Sequence, residues 1–196
     1  MTNKAKSWNL QNGYEIRLVE YVDIENELQS AMKIVFGDDG AIFFTPSDVE
    51  KARTKSLSQH MGSPLRLYFG LFHNNEFCGW HFGDQTNSND FYMRNSGILP
   101  SHRRKGLYAN LLQCVMKHVL DLGFQTISSK HNATNNAVII PKLREGFIIT
   151  GLELSDRFGT LVRLEYFSNA ERRHLMDYRS GMAGYDERIS VMKKGR

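Results

Sequence analysis

Apolar and polar positions along the chain change period several times, and each change marks an element. Tyr14 to Val22 (YEIRLVEYV) alternates loosely, the period of a strand with one buried face. From Ile24 to Phe36 the apolar residues fall at 24, 28, 31, 32, 35 and 36, which is helical spacing, with Asp23 as the expected N-cap and Gly37 as the stop. Thr45-Pro46-Ser47-Asp48 opens a second helix, because Ser47 with Glu50 three residues later forms a capping box. Arg66 to Phe72, the turn His73-Asn74-Asn75-Glu76 and Phe77 to Phe82 predict a hairpin. A polar loop, Asp84 to Asp90, leads to a strand from Phe91 to Leu99 that Pro100 ends. The next helix runs from Gly106 or Leu107 to Leu122, with apolar residues at 107, 111, 112, 115, 116, 119, 120 and 122 and Gly123 closing it. Gln125 to Ser129 is a short strand, so strand, helix and strand predict a parallel crossover. Asn132 to Glu145 holds another helix, and Ile148 to Leu154 and Thr160 to Phe167 are strands around a turn containing Asp156 and Gly159. Pro141 either kinks its helix or opens a new turn at its first position.

Composition narrows the class. The 196 residues suit one domain with a sizeable core, and 41% hydrophobic and 23% charged residues are ordinary for a globular protein. After Phe167 the character changes: residues 168–196 are polar, with seven Lys+Arg against four Asp+Glu, and read as a basic helix and tail appended to a domain of residues 1–167. A net charge of +4 suits an anionic ligand and nucleic acid equally. The two cysteines are too few for a disulfide scaffold and point to a reduced, cytoplasmic setting. The start, MTNKAKSWNLQNG, has no apolar core of a signal peptide, and no run reaches the eighteen apolar residues of a membrane helix. The seven histidines show no metal-ligand spacing, so no metal is expected.

The densest positive charge, Ser101-His102-Arg103-Arg104-Lys105-Gly106-Leu107-Tyr108, stands at the mouth of a helix. A helix N-terminus offers unpaired N–H groups and the positive end of its dipole, and a glycine there lets backbone approach a ligand. The pattern points to a phosphate or pyrophosphate held by main chain. Dinucleotide and P-loop fingerprints are absent.

Arg103-x-x-Gly106-x-Tyr108 resembles the R/Q-x-x-G-x-G/A loop of the GCN5-related N-acetyltransferases. Three features hold register with it: the strand ending Ile98-Leu99-Pro100, the helix closing Leu120 to Phe124, and Asn132 to Val138 running on to Gly146-Phe147. The resemblance spans about Leu65 to Phe167 and is most similar to a group of uncharacterised bacterial acetyltransferases. It implies an α/β (α+β) fold with a mixed, mostly antiparallel sheet of six to seven strands, helices on both faces, and a splay between the fourth and fifth strands. It implies acetyl-CoA bound through Arg103, Arg104, Lys105, Gly106, Leu107 and Tyr108, with the pantetheine arm along Ser96, Gly97 and Ile98 and a contact from Asn135. It implies acetyl transfer to a primary amine by direct attack, and a homodimer in many members.

Three departures from the family pattern matter. The small residue closing the loop is Tyr108. The tyrosine that protonates the leaving thiolate is replaced by Lys142, which serves as an acid, is solvated, or stands as a cation near a cofactor phosphate. The glutamate base on the second splayed strand is replaced by Lys130, followed by His131, whose ordinary pKa near 6.5 suits a base. The base is then a histidine, a remote carboxylate acting through water, or none, since an amine that arrives neutral needs none. His131 and Lys142 are therefore the candidate catalytic residues. Trp80 and His81 are candidates for the acceptor side. Tyr92 and Asn95, an odd number of positions apart, are expected on opposite faces. Ser128 and Ser129 also differ in facing, and one of them could bond the thiolate. Cys78 and Cys114 read as core. Gly37 to Pro46, with Asp38-Asp39 and Phe43-Phe44, is expected to border the acceptor. Missing Tyr and Glu leave open a catalytically impaired acyl-CoA-binding module. A nucleic-acid partner is not expected, since a pyrophosphate already accounts for the basic cluster.

Overall fold

The computed structural model describes residues 6–37 and 45–194. Its elements are β1 (Ser7–Asn9), β2 (Tyr14–Val19), α1 (Tyr21–Phe36), α2 (Asp48–Ser58), β3 (Arg66–His73), β4 (Glu76–Gln85), β5 (Asp90–Ile98), α3 (Leu107–Asp121), β6 (Thr126–Asn132), α4 (Asn136–Arg144), β7 (Ile148–Ser155), β8 (Gly159–Phe167), α5 (Ala170–Arg179) and α6 (Glu187–Lys194). The expected border segment with Asp38, Asp39, Phe43 and Phe44 lies outside the described residues.

The strands form one sheet of eight in the order β1-β2-β3-β4-β5-β6-β8-β7. Every pairing is antiparallel except β5 with β6, the crossover that α3 makes parallel. The extra strand is β1, too short to show a period, and it moves the expected splay to lie between the fifth and sixth strands. Ile24, Leu28 and Ala31 of α1 pack on Trp80, Tyr68 and Phe82 on one face. Leu111, Leu112, Val115 and Val119 of α3 and Ile139 of α4 pack on the other, against Ile16, Phe69, Phe91 and Ile127. Helices thus cover both faces.

Several local expectations hold. Ser47 and Glu50 form the capping box, and Asn74 and Asn75 take positive φ at the hairpin tip. Others shift. α1 begins at Tyr21, and its N-cap is Glu20 rather than Asp23. β6 extends through Asn132, so Lys130 and His131 lie on the strand. α4 continues through Pro141. In β5 a bulge at Arg94 interrupts the alternation: Tyr92 pairs with Asp84, but Asn95 pairs with Phe82. Asp84 and Phe82 are two apart on β4, so Tyr92 and Asn95 share the α1 face, against the expectation from spacing alone.

Past residue 167 the chain forms α5 and α6. Arg172 bonds Thr126 Oγ1 at 3.0 Å, Arg173 bonds the Gly146 carbonyl at 2.8 Å, and Ile189 is buried. No helix among the described residues is long and apolar enough to cross a membrane.

Candidate functional site

β5 ends in a short turn, Pro100–His102, followed by a left-handed corner with Arg104 at φ 61° and Gly106 at φ 73°. Gly106 is the N-cap of α3, and a Cβ there would meet nothing within 4 Å. The glycine is needed for its dihedral angle, and the space above it is open. The first-turn N–H groups of α3 lack intrahelical acceptors, as at any helix start, and sit at the positive end of the dipole.

The cations around this corner are not equivalent. Arg103 folds back, its Nε donating to the Ile98 carbonyl at 2.9 Å. Lys105 donates from Nζ to the Tyr14 hydroxyl at 3.0 Å, which also meets His102 Nδ1 at 3.0 Å. Arg104 is exposed. Leu107 is buried, and Tyr108 packs partly buried against the main core, where burial pushes its phenol pKa up. The tyrosine that replaces a small residue is thus turned into the core.

β5 and β6 pair only from Asp90–Tyr92 to Thr126–Ser128, then diverge. Past Tyr92 the edge of β5 that faces β6 has no strand partner among the described residues. Ser96 on this stretch has its Oγ against His81 Nδ1 at 2.7 Å. Gly97 is a glycine because a Cβ would collide with the Trp80 ring.

The divergence opens a cavity of about 1060 Å³ that reaches from the α1 face through the sheet. Ser96, His131, Asn135 and Lys142 all line it, and residues 103–108 do not. Four of the expected site residues are therefore brought together, while the corner stands apart at the far end of β5. Trp80 and His81 do not line it either. Trp80 is fully buried under α1, and His81, 1% exposed, lies on the opposite face, its Nε2 without a hydrogen-bond partner among the described residues.

Lys142 is the unusual group. It is 1% exposed, with Nζ donating to Ser129 Oγ at 2.8 Å and 3.3 Å from Met93 Sδ, and lying 5.0 Å from the centre of the Phe147 ring. No carboxylate among the described residues bonds it, and burial pulls its pKa down from 10.5 to about 7. A lysine so enclosed is not solvated. Ser129 Oγ also lies 3.1 Å from His131 Nε2, completing a chain from Lys142 through Ser129 to His131. Burial, and then the charge of Lys142, push the His131 imidazole down to about 3. His131 is neutral at ordinary pH and a far weaker base than its free pKa implied. Ser128 faces away, bonding Asp90 at 2.8 Å.

On the α1 side, Arg94 is engaged by Asp84 at 2.7 Å. Lys130 reaches across β8 to Glu153 of β7, Nζ to Oε2 2.6 Å, and both line the cavity with Tyr92. Glu153 is the one carboxylate among the described lining residues. Nothing in the sequence near Lys130 announces it, since the contact is made across an intervening strand. Burial raises the thiols, Cys78 to about 11 and Cys114 to about 12, which leaves both protonated and poor nucleophiles. No cluster of three potential metal ligands occurs among the described residues.

The family model described as acetyltransferase (GNAT) family matches residues 29–140. No curated protein matches the chain. Among solved structures, the ribosomal-protein-S18-alanine N-acetyltransferase from Escherichia coli is 18% identical, covering 79% of this chain and 93% of its own, with a TM-score of 0.56. RimL, a ribosomal L7/L12 alpha-N-protein acetyltransferase in complex with coenzyme A, is 15% identical over 83% of this chain and 98% of its own, at a TM-score of 0.61. The putative acetyltransferase yncA from Salmonella typhimurium, solved with acetyl-CoA, is 16% identical over 81% of this chain and 96% of its own, at 0.58. At these identities the likeness is one of fold.

Proposed function

Because the chain belongs to the acetyltransferase (GNAT) family, whose cosubstrate is acetyl-CoA, we propose that it is an N-acetyltransferase acting on a primary amine by direct attack within a ternary complex. The observation that carries this reading is the splay between β5 and β6, joined by one strand to an open left-handed corner at the start of α3.

The residues present fit the coenzyme. The backbone N–H groups from Arg104 to Tyr108 would hold its pyrophosphate, with room provided at Gly106. The unpaired edge of β5 at Ser96, Gly97 and Ile98 would take the pantetheine arm as an added strand, although Arg103 already engages the Ile98 carbonyl. Asn135, at the cavity wall without a capping bond of its own, would meet the arm from α4. Bound there, the coenzyme supplies a thioester carbonyl to the amine and a thiolate as leaving group.

Lys142 is the proposed acid. With its pKa near 7 it gives a proton downhill to a thiolate whose thiol has an ordinary pKa of about 8.5. Ser129 fixes the direction of Nζ, and His131 accepts from Ser129, keeping that hydroxyl in place. His131 thereby becomes a positioning residue rather than a base. The proposed setting is the cytoplasm, where Cys78 and Cys114 stay reduced.

The test is calorimetric binding of acetyl-CoA to the wild type and to Gly106→Glu, followed by thiol release with an amine panel. The glutamate costs roughly 1–2 kcal/mol at a left-handed position and puts negative charge in the open corner. Binding by the wild type and its loss in a folded variant support the placement. Binding without turnover on any amine would favour an acyl-CoA-binding module, and no binding at all would overturn the reading.

A further inference from the structure

The cavity holds a carboxylate that the sequence could not place there. The acetyltransfer reading brings the acceptor amine in from the α1 side of the splay, where a proton acceptor would have to stand. His131 lies on the other face, bonded to Ser129 and held neutral. Lys33, Arg94, Lys130 and Arg157 line the cavity as basic side chains, and Lys142 is the proposed acid. Glu153 alone among the described lining residues carries a carboxylate. Its side chain is 45% exposed, against 31% for Lys130, so it has a path to water.

The register explains why it stands there. Lys130, Leu161 and Glu153 all point to the α1 face: Lys130 pairs with Arg163, and Leu161 pairs with Glu153. The ion pair spans β8 and leans the carboxylate toward the cavity, beside Tyr92. Met32 and Phe36 of α1 and Phe158 and Leu161 of the β7–β8 hairpin provide apolar surface around it.

We propose that Glu153 receives the ammonium group of the acceptor and takes its proton, and that the acceptor is a primary alkylammonium on an apolar carbon skeleton. This deepens the acetyltransfer reading and rests on it. One N–H bond of the ammonium breaks, one O–H bond forms on the carboxylate, and the electron pair stays on nitrogen, which becomes a neutral amine. The proton then leaves to solvent from the exposed side of Glu153. Lys130 competes with the ammonium for the same carboxylate and holds it in place when no acceptor is bound.

The experiment uses phenethylamine as the charged probe and 2-phenylethanol as its uncharged counterpart, with binding followed by ligand-detected NMR and turnover by thiol release. Glu153→Gln should weaken phenethylamine binding and lower kcat/KM about ten- to a hundredfold, the range for losing one charge-assisted hydrogen bond. Binding of 2-phenylethanol and of acetyl-CoA should not change. Lys130→Met should act in the opposite sense and tighten phenethylamine, because the competing cation is gone. Equal phenethylamine binding by wild type and Glu153→Gln would overturn the assignment while leaving acetyl-CoA binding and the reading above intact. Both variants weakening phenethylamine alike would also overturn it, since that marks the pair as a structural strut. Failure of the wild type to bind acetyl-CoA would remove both the reading and this inference.

Discussion

Replacing Lys142 with methionine tests whether a buried amine is held close to neutrality. The folded pKa of about 7 lies below the unfolded value of 10.5, so between these pH values the unfolded chain binds more protons. Wild-type stability must therefore rise with pH across that window, and the burial cost is largest below pH 7. At about 1.36 kcal/mol per pH unit, the rise between pH 6 and pH 9 is roughly 3 kcal/mol from this one group. Lys142→Met keeps a side chain of similar length, forfeits one bond to Ser129 Oγ, and leaves that hydroxyl paired with His131. The variant should be more stable than wild type at pH 6, and its advantage should shrink by roughly 3 kcal/mol by pH 9. Paired urea unfolding curves at the two pH values measure this, since other titrations are common to both proteins. Activity should move the other way, with kcat falling on the order of a hundredfold as the acid is lost. Parallel pH dependence in the two proteins, or a variant less stable at pH 6 than at pH 9 relative to wild type, would refute the reasoning.

Other outcomes follow from single contacts. Gly97→Ala drives a methyl into the fully buried Trp80 and should cost about 1–3 kcal/mol, read by thermal or urea unfolding. Ser47→Ala removes the capping box of a helix that buries no side chain, so hydrogen exchange should accelerate across residues 48–58 while the global midpoint barely moves. His81 and His131 are both pushed down to about 3 from 6.5, so the unfolded chain holds more protons between those values and stability should fall on acidification from about pH 6.5. His81→Gln should flatten that fall, as followed by the unfolding midpoint from pH 6.5 to pH 4.

What the sequence revealed was local. The helical period of α3, the Ser47–Glu50 box and the glycine at 106 each act within a few residues, so spacing alone located them. The parallel crossover was readable because α3 and its flanking strands stand in order along the chain, and the splay came with the family resemblance. What escaped depended on distant geometry. The family resemblance singled out Lys142, but its enclosure showed only once β5 and β6 met around its Nζ. Glu153 meets Lys130 across a strand that neither residue belongs to. The facing of Tyr92 and Asn95 was misjudged because strict alternation cannot see one extra residue at Arg94, and the short β1 has too few positions to show any period.

That extra residue has a consequence for how this chain can change. Arg94 sets the phase of everything after it in β5: Asn95 and Gly97 turn toward α1, and Ser96 and Ile98 toward α3. A substitution at position 94 alters one side chain and its tie to Asp84. Deleting one residue between Met93 and Asn95 would turn the rest of the strand over, taking Ile98 from the α3 side to the α1 side and setting a side chain against Trp80. At position 94, length is the quantity that inheritance has to preserve, and the choice of side chain is comparatively free.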